Sequence, residues 1–176
     1  MATQKLFFAG FGGQGVLLMG QMIAYAGMME GKEVTFMPSY GPEMRGGTAN
    51  CTVIVSDNAI SCPIITEATT LVAMNLPSLH KFEDLLLPDG HLFLNASLIE
   101  EKPKRTDVQV HAIDVAALAD ELKNPKVGNM IMLGAIVRTT NVVKMESIEK
   151  VMEKLFTGGK AKLLPLNKTA LMAWNK

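Results

Sequence analysis

A short apolar run, a glycine-rich turn and a long uncharged stretch follow one another near the start of this chain. Residues 5–9 have strand composition, residues 16–29 have helix-forming composition without a charge, and between them lies Gly10-Phe11-Gly12-Gly13-Gln14-Gly15. Between a strand and a helix, three glycines at this spacing are typical of a turn that binds phosphate. Glycine lacks a Cβ, so the backbone can approach the phosphate closely, and the N–H groups at the helix start attract anions. The start of the chain therefore predicts an α/β fold.

The rest of the chain continues the alternation of strands and helices. The pattern predicts strands at 34–37, 50–55, 70–74, 91–95 and 108–113, and helices at 77–87, 115–122, 129–140, 145–156 and 161–174. Asp114 is placed to cap the helix that follows it. Since no linker, repeat or low-complexity segment interrupts the pattern, we expect one domain over residues 1–176, a three-layer Rossmann-like α/β domain with a mostly parallel sheet.

A polar loop separates the second and third predicted strands, where a short turn would have sufficed. It reads Ser39-Tyr40-Gly41-Pro42-Glu43-Met44-Arg45-Gly46-Gly47. The Arg45 guanidinium suits a ligand phosphate or carboxylate, and the Tyr40 ring suits stacking on a flat group. The alternatives are that Arg45 pairs with Glu43 to shape the loop, that Tyr40 packs on the loop stem, and that the loop contacts another subunit.

The glycine turn also has two interpretations. A dinucleotide-binding fold would require an acidic residue at the end of the second strand, to hold the ribose. Residues 36–39 there are Phe-Met-Pro-Ser, Glu33 precedes the strand, and Glu43 lies well inside the loop. NAD is therefore disfavoured, which leaves binding of a phosphate or another anion, or a turn that serves only strand-to-helix packing.

Composition excludes several classes of function. The net charge is +0, charged residues make up 19% and hydrophobic residues 48%, so a nucleic-acid or membrane surface held by bulk charge is disfavoured. No apolar run approaches the roughly 20 residues that span a bilayer, and the N-terminal residues do not have the pattern of a signal peptide, so we expect a cytoplasmic protein. The low charge and the 13 methionines favour burial of apolar surface against other chains.

Candidate metal-binding and catalytic groups are sparse. Cys51 and Cys62 lack metal-ligand spacing, so this chain alone is expected to build neither a zinc site nor an iron–sulfur cluster. The three histidines, His80, His91 and His111, are spread over predicted helix and strand positions and are expected to be structural or exposed. No pairing of a nucleophile with a base is apparent. The segment 129–135, rich in Met and Leu, is expected to be core or to face another subunit.

These motifs together resemble a known family. The residues from Gly10 to Gly15, from Ser39 to Gly47 and from Asn129 to Gly134 are similar, in order and spacing, to the gamma subunit of 2-oxoacid:ferredoxin oxidoreductases. The resemblance extends from about residue 4 to the C-terminus. The glycine motif alone is common, whereas the nine-residue polar block is specific. The continuation Thr48-Ala49-Asn50-Cys51-Thr52 looks most like the 2-oxoglutarate branch, although pyruvate, branched-chain and indolepyruvate enzymes carry a homologous subunit.

The resemblance implies an enzyme complex of class EC 1.2.7 that oxidatively decarboxylates a 2-oxoacid to its acyl-CoA. It implies alpha and beta subunits, with a ferredoxin-like delta subunit as an optional third partner, and ferredoxin as the electron acceptor. Thiamine diphosphate, magnesium and iron–sulfur clusters are expected in the partner subunits, and coenzyme A as a cosubstrate. This chain would be inactive alone, and would supply subunit contacts and a place for coenzyme A.

The expected coenzyme A site combines the glycine turn with the polar loop. Its residues are Gly12, Gly13, Gln14, Gly15, Ser39, Tyr40 and Arg45. Two other hypotheses stay open at this stage: a free-standing Rossmann-type nucleotide-binding protein, and a scaffold subunit whose glycine turn binds nothing. The missing acid after the second strand and the absence of an acid/base pair count against the nucleotide-binding protein.

Overall fold

A computed structural model describes residues 3–40 and 47–174, with Tyr40 described by its backbone alone. Within these residues the chain forms one six-stranded mixed sheet with the strand order β2-β3-β1-β4-β5-β6. The strands are β1 (Gln4–Phe11), β2 (Glu33–Tyr40), β3 (Thr48–Ser56), β4 (Ala68–Ala73), β5 (Leu86–Asn95) and β6 (Gln109–Ile113). The α-helices are α1 (Val16–Met29), α2 (Leu76–Phe82), α3 (Val115–Glu121), α4 (Gly128–Thr140), α5 (Met145–Leu155) and α6 (Leu164–Leu171).

The predicted α/β fold with a mostly parallel sheet is confirmed, with one exception in strand direction. β1, β4, β5 and β6 pair in parallel, whereas β3 lies between β1 and β2 and is antiparallel to both. The reason is the length of the connection: only residues 41–47 separate β2 from β3, which is fewer than a crossover between parallel strands requires, so the two strands run in opposite directions. β1 and β2 both end at the same edge of the sheet, which is also the carboxyl end of β4, β5 and β6.

Helices cover the two faces of the sheet unequally. On one face, α1 and the helices of the C-terminal third bury Leu6 and Phe8 of β1 together with Val53, Val72 and Phe93 of neighbouring strands. On the other face, α2 and a following 3-10 turn (Glu83–Leu85) cover a smaller cluster. That cluster includes Phe7, Ala9, Leu71, Leu79, Leu92 and Leu94. The three layers are therefore present, and the second helical layer is short.

Two predicted elements have different bounds in the structure. The helix predicted at 77–87 ends at Phe82. Three turn-forming residues, Pro88, Asp89 and Gly90, lie inside β5, where the pairing register with β4 shifts and Asp89 adopts φ 60. This register shift is a β-bulge, which accommodates the turn-forming residues, so β5 continues on both sides of them. The final helix predicted at 161–174 is a 3-10 segment (Gly158–Leu163) followed by the shorter α6, because Pro165 suits only a first helical turn. No helix of the described chain is both long and apolar enough to cross a membrane.

A polar cluster joins the end of α1 to the loop before α5. The backbone N–H of Lys144 donates to the Glu30 carboxylate at 2.6 Å, and the Lys32 ammonium lies 3.1 Å from the same carboxylate and donates to the carbonyl of Val142 at 2.7 Å. Burial raises the pKa of Glu30, but hydrogen bonds from Lys144, Ser147 and Lys32 outweigh it, so the pKa lies below its ordinary value.

Glu30→Gln should therefore destabilise the protein by about 1–3 kcal/mol at neutral pH, the usual contribution of a hydrogen-bonded charged group. Because the folded-state pKa is lowered, this stabilisation is present above the unfolded pKa of roughly 4.3 and is lost as the pH falls through the folded value. Urea unfolding between pH 3 and 7 should show the two proteins converging at acidic pH. The exposed Glu100→Gln should stay within about 0.5 kcal/mol of wild type throughout, and a constant Glu30 difference across this range would contradict the prediction.

Candidate functional site

The glycine turn lies at the carboxyl edge of the sheet, between β1 and α1. Gly13 and Gly15 adopt φ 99 and φ 74, a left-handed conformation that glycine takes without strain. The Gln14 N–H donates to the carbonyl of Phe11 at 3.1 Å, which closes the turn, and the Gly12 N–H donates to the carbonyl of Gly47 at 3.0 Å. The turn is thus bonded directly to Gly47, the last residue of the polar loop.

The side chain of Gln14 braces this edge of the sheet. Its Oε1 accepts from the Phe11 N–H at 2.7 Å and from the Asn75 amide at 3.1 Å, while its Nε2 donates to the carbonyl of Met74 at 3.1 Å. The Asn95 amide donates to the same carbonyl at 3.3 Å. Three amide side chains therefore tie together the ends of β1, β4 and β5, and they fix the shape of the turn.

An open crevice of about 480 Å³ lies beside the turn. It is lined by Gly13, Gln14, Met74, Asn95, Val115, Pro125, Lys126, Gly128 and Asn129. These residues come from the turn, from the ends of β4 and β5 and from the starts of α3 and α4. Ligands of open α/β sheets bind at the carboxyl ends of the strands, where this crevice lies.

The starts of α1 and α4 meet at Gly15. A Cβ on Gly15 would lie 2.8 Å from the Cβ of Asn129, a separation that Cβ atoms do not tolerate. Glycine is therefore required here for two reasons, the left-handed backbone and the close approach of Asn129. The contact brings the N-termini of a 14-residue and a 13-residue helix to the same wall of the crevice.

The electrostatics of this wall favour an anion. Neither α1 nor α4 has a side-chain hydrogen bond at its cap or an acidic residue in its first turn. Because α4 continues directly from the 3-10 turn Pro125–Val127, whose start the Asn124 side chain caps, the partial positive charge of uncapped helix N–H groups is assigned to the start of α1. Lys126 adds a cation at the rim. The nearby Asp114 carboxylate accepts from the Ala117 N–H and from the Ser97 hydroxyl, and these bonds lower its pKa. These hydrogen bonds at the start of α3 therefore stabilise the negative charge of Asp114.

Of the candidate site residues in the polar loop, the structure describes Ser39 and the backbone of Tyr40. Ser39 is exposed near the end of β2. It pairs with Asn50 of β3, which in turn pairs with Ala9 of β1, and residues paired in this way share a sheet face. Since Ala9 belongs to the cluster on the face opposite α1, Ser39 lies on that face too. Tyr40 pairs through its backbone with Ala49, beside Gly10. Arg45 and Glu43 lie outside the described residues. The structure thus groups Gly12, Gly13, Gln14 and Gly15, while Tyr40 is two strands away from Gly10.

Two of the histidines are not scattered as the sequence indicated. His91 and His111 lie on adjacent strands with Nδ1 and Nε2 3.1 Å apart, and His111 stacks on Phe93 at 4.7 Å between ring centroids. His80 is exposed on α2 and lies 3.0 Å from the Glu101 carboxylate. His111 is buried, with 6.5 Å between its ring centroid and that of Trp174, and neither histidine lines the crevice described above.

The two cysteines differ in burial and in the pKa of the thiol. Burial raises the pKa of Cys51 to about 12, and its Sγ donates to the carbonyl of Val16 at 3.5 Å, whereas Cys62 is exposed. A thiol with so high a pKa is a small packing group and not a nucleophile. Over residues 3–40 and 47–174, no three His, Cys, Asp or Glu side chains are grouped to hold a metal ion.

Sequence reasoning missed three residues at or beside the crevice. Asn95 ends β5 and lines the crevice, Asn75 lies two residues after β4 and bonds to Gln14, and Lys126 precedes α4. A polar residue at or just after the end of each of two parallel strands is a detectable signal, because those strand ends meet at one edge. Lys126 gave no comparable signal, since its position depends on how α3 and α4 pack.

Comparisons with known proteins agree with this architecture. Residues 5–173 match the family model described as Pyruvate ferredoxin/flavodoxin oxidoreductase. The 2-oxoglutarate synthase subunit KorC of Methanocaldococcus jannaschii is 35% identical over 150 residues, covering 84% of this chain and 80% of that protein. The ketoisovalerate oxidoreductase subunit VorA of Methanothermobacter thermautotrophicus is 34% identical over 172 residues, 96% of this chain but 35% of that longer protein.

Two solved structures have the same fold. The gamma subunit of a keto/oxoacid ferredoxin oxidoreductase from Geobacter sulfurreducens has a TM-score of 0.82 and 28% identity, covering 97% of this chain and 95% of its own. The 2-oxoglutarate:ferredoxin oxidoreductase of Magnetococcus marinus, with 2-oxoglutarate, coenzyme A and succinyl-CoA bound, has a TM-score of 0.87 at 24% identity, covering 98% of this chain and 30% of its own. The second likeness concerns the fold alone.

The chain belongs to the pyruvate ferredoxin/flavodoxin oxidoreductase family. It is a gamma-type subunit of a 2-oxoacid:ferredoxin oxidoreductase complex, as the resemblance of the glycine turn and the polar loop implied. This finding favours the subunit hypothesis over a free-standing nucleotide-binding protein.

Proposed function

We propose that this chain, acting as a single gamma-type domain over residues 1–176, binds the phosphate-bearing part of coenzyme A within a 2-oxoglutarate:ferredoxin oxidoreductase. The observation that carries the proposal is the convergence of the uncapped start of α1 and the start of α4 on the crevice beside Gly13. Backbone N–H groups at such ends bind phosphate groups, and Lys126 at the rim adds charge attraction. The crevice volume of about 480 Å³ suits a group of ligand size.

The roles of the residues in this proposal follow from their positions. Gly12, Gly13 and Gly15 let the backbone approach the ligand closely, and Gln14 holds the turn in shape through its bonds to Phe11 and Met74. Arg45 would add a charged contact from the polar-loop side. Ser39 and Tyr40, at the end of β2, belong to the same proposed site, with Ser39 on the sheet face opposite α1 and Tyr40 two strands from Gly10. Coenzyme A supplies the thiol that accepts the acyl group.

The choice of 2-oxoglutarate rests on similarity to 2-oxoglutarate synthase subunits. Ketoisovalerate enzymes include a relative of almost the same identity, so the substrate must be measured directly. In the proposed complex, alpha and beta subunits, with or without a ferredoxin-like delta subunit, hold thiamine diphosphate, magnesium and the iron–sulfur clusters and pass electrons to ferredoxin. The two cysteines of this chain, one buried and one exposed, do not suit a cluster.

Arg45→Ala tests the proposal in the assembled complex. A charged hydrogen bond to phosphate contributes about 1.5–3 kcal/mol, so the Michaelis constant for coenzyme A should rise roughly ten-fold or more. The constant for the 2-oxoacid should change little, because that substrate reacts in the partner subunits. Steady-state kinetics with each substrate varied in turn provide the measurement.

Glu43→Gln is the matched control for Arg45→Ala. If Arg45 only braces the loop against Glu43, both variants should act alike, weaken assembly and raise neither Michaelis constant selectively. Equal effects of Arg45→Ala on both substrates would also show that the loop is a structural contact and not part of a coenzyme A site.

A further inference from the structure

The outward face of α1 carries no charge. A surface helix normally buries one stripe and presents charged side chains to water on the opposite side. Helix α1 buries Val16, Met19 and Ile23 against the sheet, yet none of its 14 residues is charged. Its less buried side carries the half-buried Leu18 and Gln21 and the exposed Tyr25 and Met28, spaced three, four and three residues apart. This spacing is that of the seam through which two helices pack side by side.

A groove between α1 and α5 continues this seam. It has a volume of about 430 Å³ and is lined by Tyr25, Met28, Met29, Val151, Lys154 and Leu155. Met28 is 62% exposed, and Tyr25 and Met29 are each 42% exposed. Exposed side chains of this size, gathered in one concave place, mark an interaction surface more often than scattered apolar residues do.

We propose that this groove receives an amphipathic helix of another subunit of the oxidoreductase complex, with apolar residues at three- and four-residue spacing and a flanking carboxylate. The apolar residues of the incoming helix pack against Tyr25 and Met28, where the flexible methionines fit their shape. The carboxylate pairs with Lys154. The inference rests on the role of the chain as a subunit, and it goes beyond that role by assigning the docking surface.

Charge identifies the occupant as a different protein and not as a second copy of this chain. Of the described residues that line the groove, Lys154 alone is charged, and none is a carboxylate. In a two-fold dimer the same patch faces itself, so the groove of each copy would bring a lysine and no carboxylate to the other, and the charges would not be complementary. A partner helix that carries a carboxylate supplies that complement.

The experiment is performed on the complex purified through a tag on this chain after expression with its partner subunits. Met28→Glu should reduce the amount of catalytic subunit retained by roughly ten-fold or more, because a charge is placed in the centre of an apolar contact. Lys154→Glu should also reduce it, whereas Lys154→Arg should not. Val110→Glu, at a residue 43% exposed on the far edge strand β6, is the matched control and should retain the full amount. Circular dichroism and Tm of each isolated variant establish that it folds.

A photo-crosslinking residue at position 28 identifies the occupant directly. A cross-linked peptide from another subunit, with the stated apolar spacing and an acidic residue, is the expected result. A cross-link to a second copy of this chain, or full assembly of folded Met28→Glu, would overturn the proposal. The Michaelis constant for coenzyme A, measured on complexes that do assemble, is unaffected by this outcome, so failure of the docking proposal and failure of the coenzyme A site remain distinguishable.

Discussion

The isolated chain, assayed with 2-oxoglutarate, coenzyme A and an artificial electron acceptor, should show no turnover. Oxidative decarboxylation needs a group that stabilises negative charge on the substrate and a centre that accepts electrons, and cofactors supply both. The thiols of this chain do not suit electron transfer, since the pKa of Cys51 is raised to about 12 by burial and Cys62 stands alone at the surface. Addition of the partner subunits should restore activity fully.

The measurement requires chain that is free of partner subunits, as verified by mass spectrometry. Acceptor reduction and acyl-CoA formation should both be at the level of the buffer blank. Turnover that co-purifies with this chain alone, and that persists after its separation from every other protein, would disprove its role as a non-catalytic subunit.

Gly15→Ala should destabilise the protein by about 2–4 kcal/mol, since a non-glycine residue in the left-handed region costs roughly 1 kcal/mol or more and overpacking costs roughly 1–3 kcal/mol. Both costs apply, because Gly15 has φ 74 and its added Cβ would meet Asn129 at 2.8 Å. For a chain of this size the Tm should fall by roughly 4–16 °C. Thermal unfolding followed by circular dichroism is the appropriate measurement.

Gly13→Ala separates the two costs. Gly13 has φ 99, but an added Cβ would meet no atom within 4 Å, so only the backbone cost of roughly 1 kcal/mol applies. Asn129→Gly combined with Gly15→Ala should recover the overpacking part, measured against Asn129→Gly alone as a double-mutant cycle. If Gly13→Ala and Gly15→Ala are equally destabilising, the contact between α1 and α4 does not constrain Gly15.

The order and type of most elements followed from local sequence signals. Helix-forming composition after the glycine turn predicted α1 with its observed bounds. Asp114 was correctly predicted as the cap of α3, where it accepts from the Ala117 N–H at 3.0 Å. The direction of β3 could not be read in the same way, because strand direction depends on which neighbour the strand pairs with. The bulge in β5 was missed since Pro88, Asp89 and Gly90 are turn formers whose position inside a strand is set by pairing with β4.

The candidate site was predictable only in part. The spacing of the glycines predicted the turn on one side of the crevice. The side formed by the start of α4 could not be predicted, because it depends on the tertiary packing of α4 against Gly15. The pairing of His91 with His111 is of the same kind, because residues 20 positions apart become neighbours only when β5 and β6 align. The interaction of the polar loop with any ligand stays a prediction, with Arg45 as its central residue.

The core on the α1 face is shared between the first and last parts of the chain. Leu6 and Phe8 of β1 and Met19 of α1 belong to one buried cluster with Ile131 of α4 and Ile148 of α5. During synthesis, the strands and α1 leave the ribosome long before α4 and α5 exist to cover them. The nascent chain therefore presents a partly open apolar layer until residues 128–171 have emerged, and completion of the core is a late step of folding.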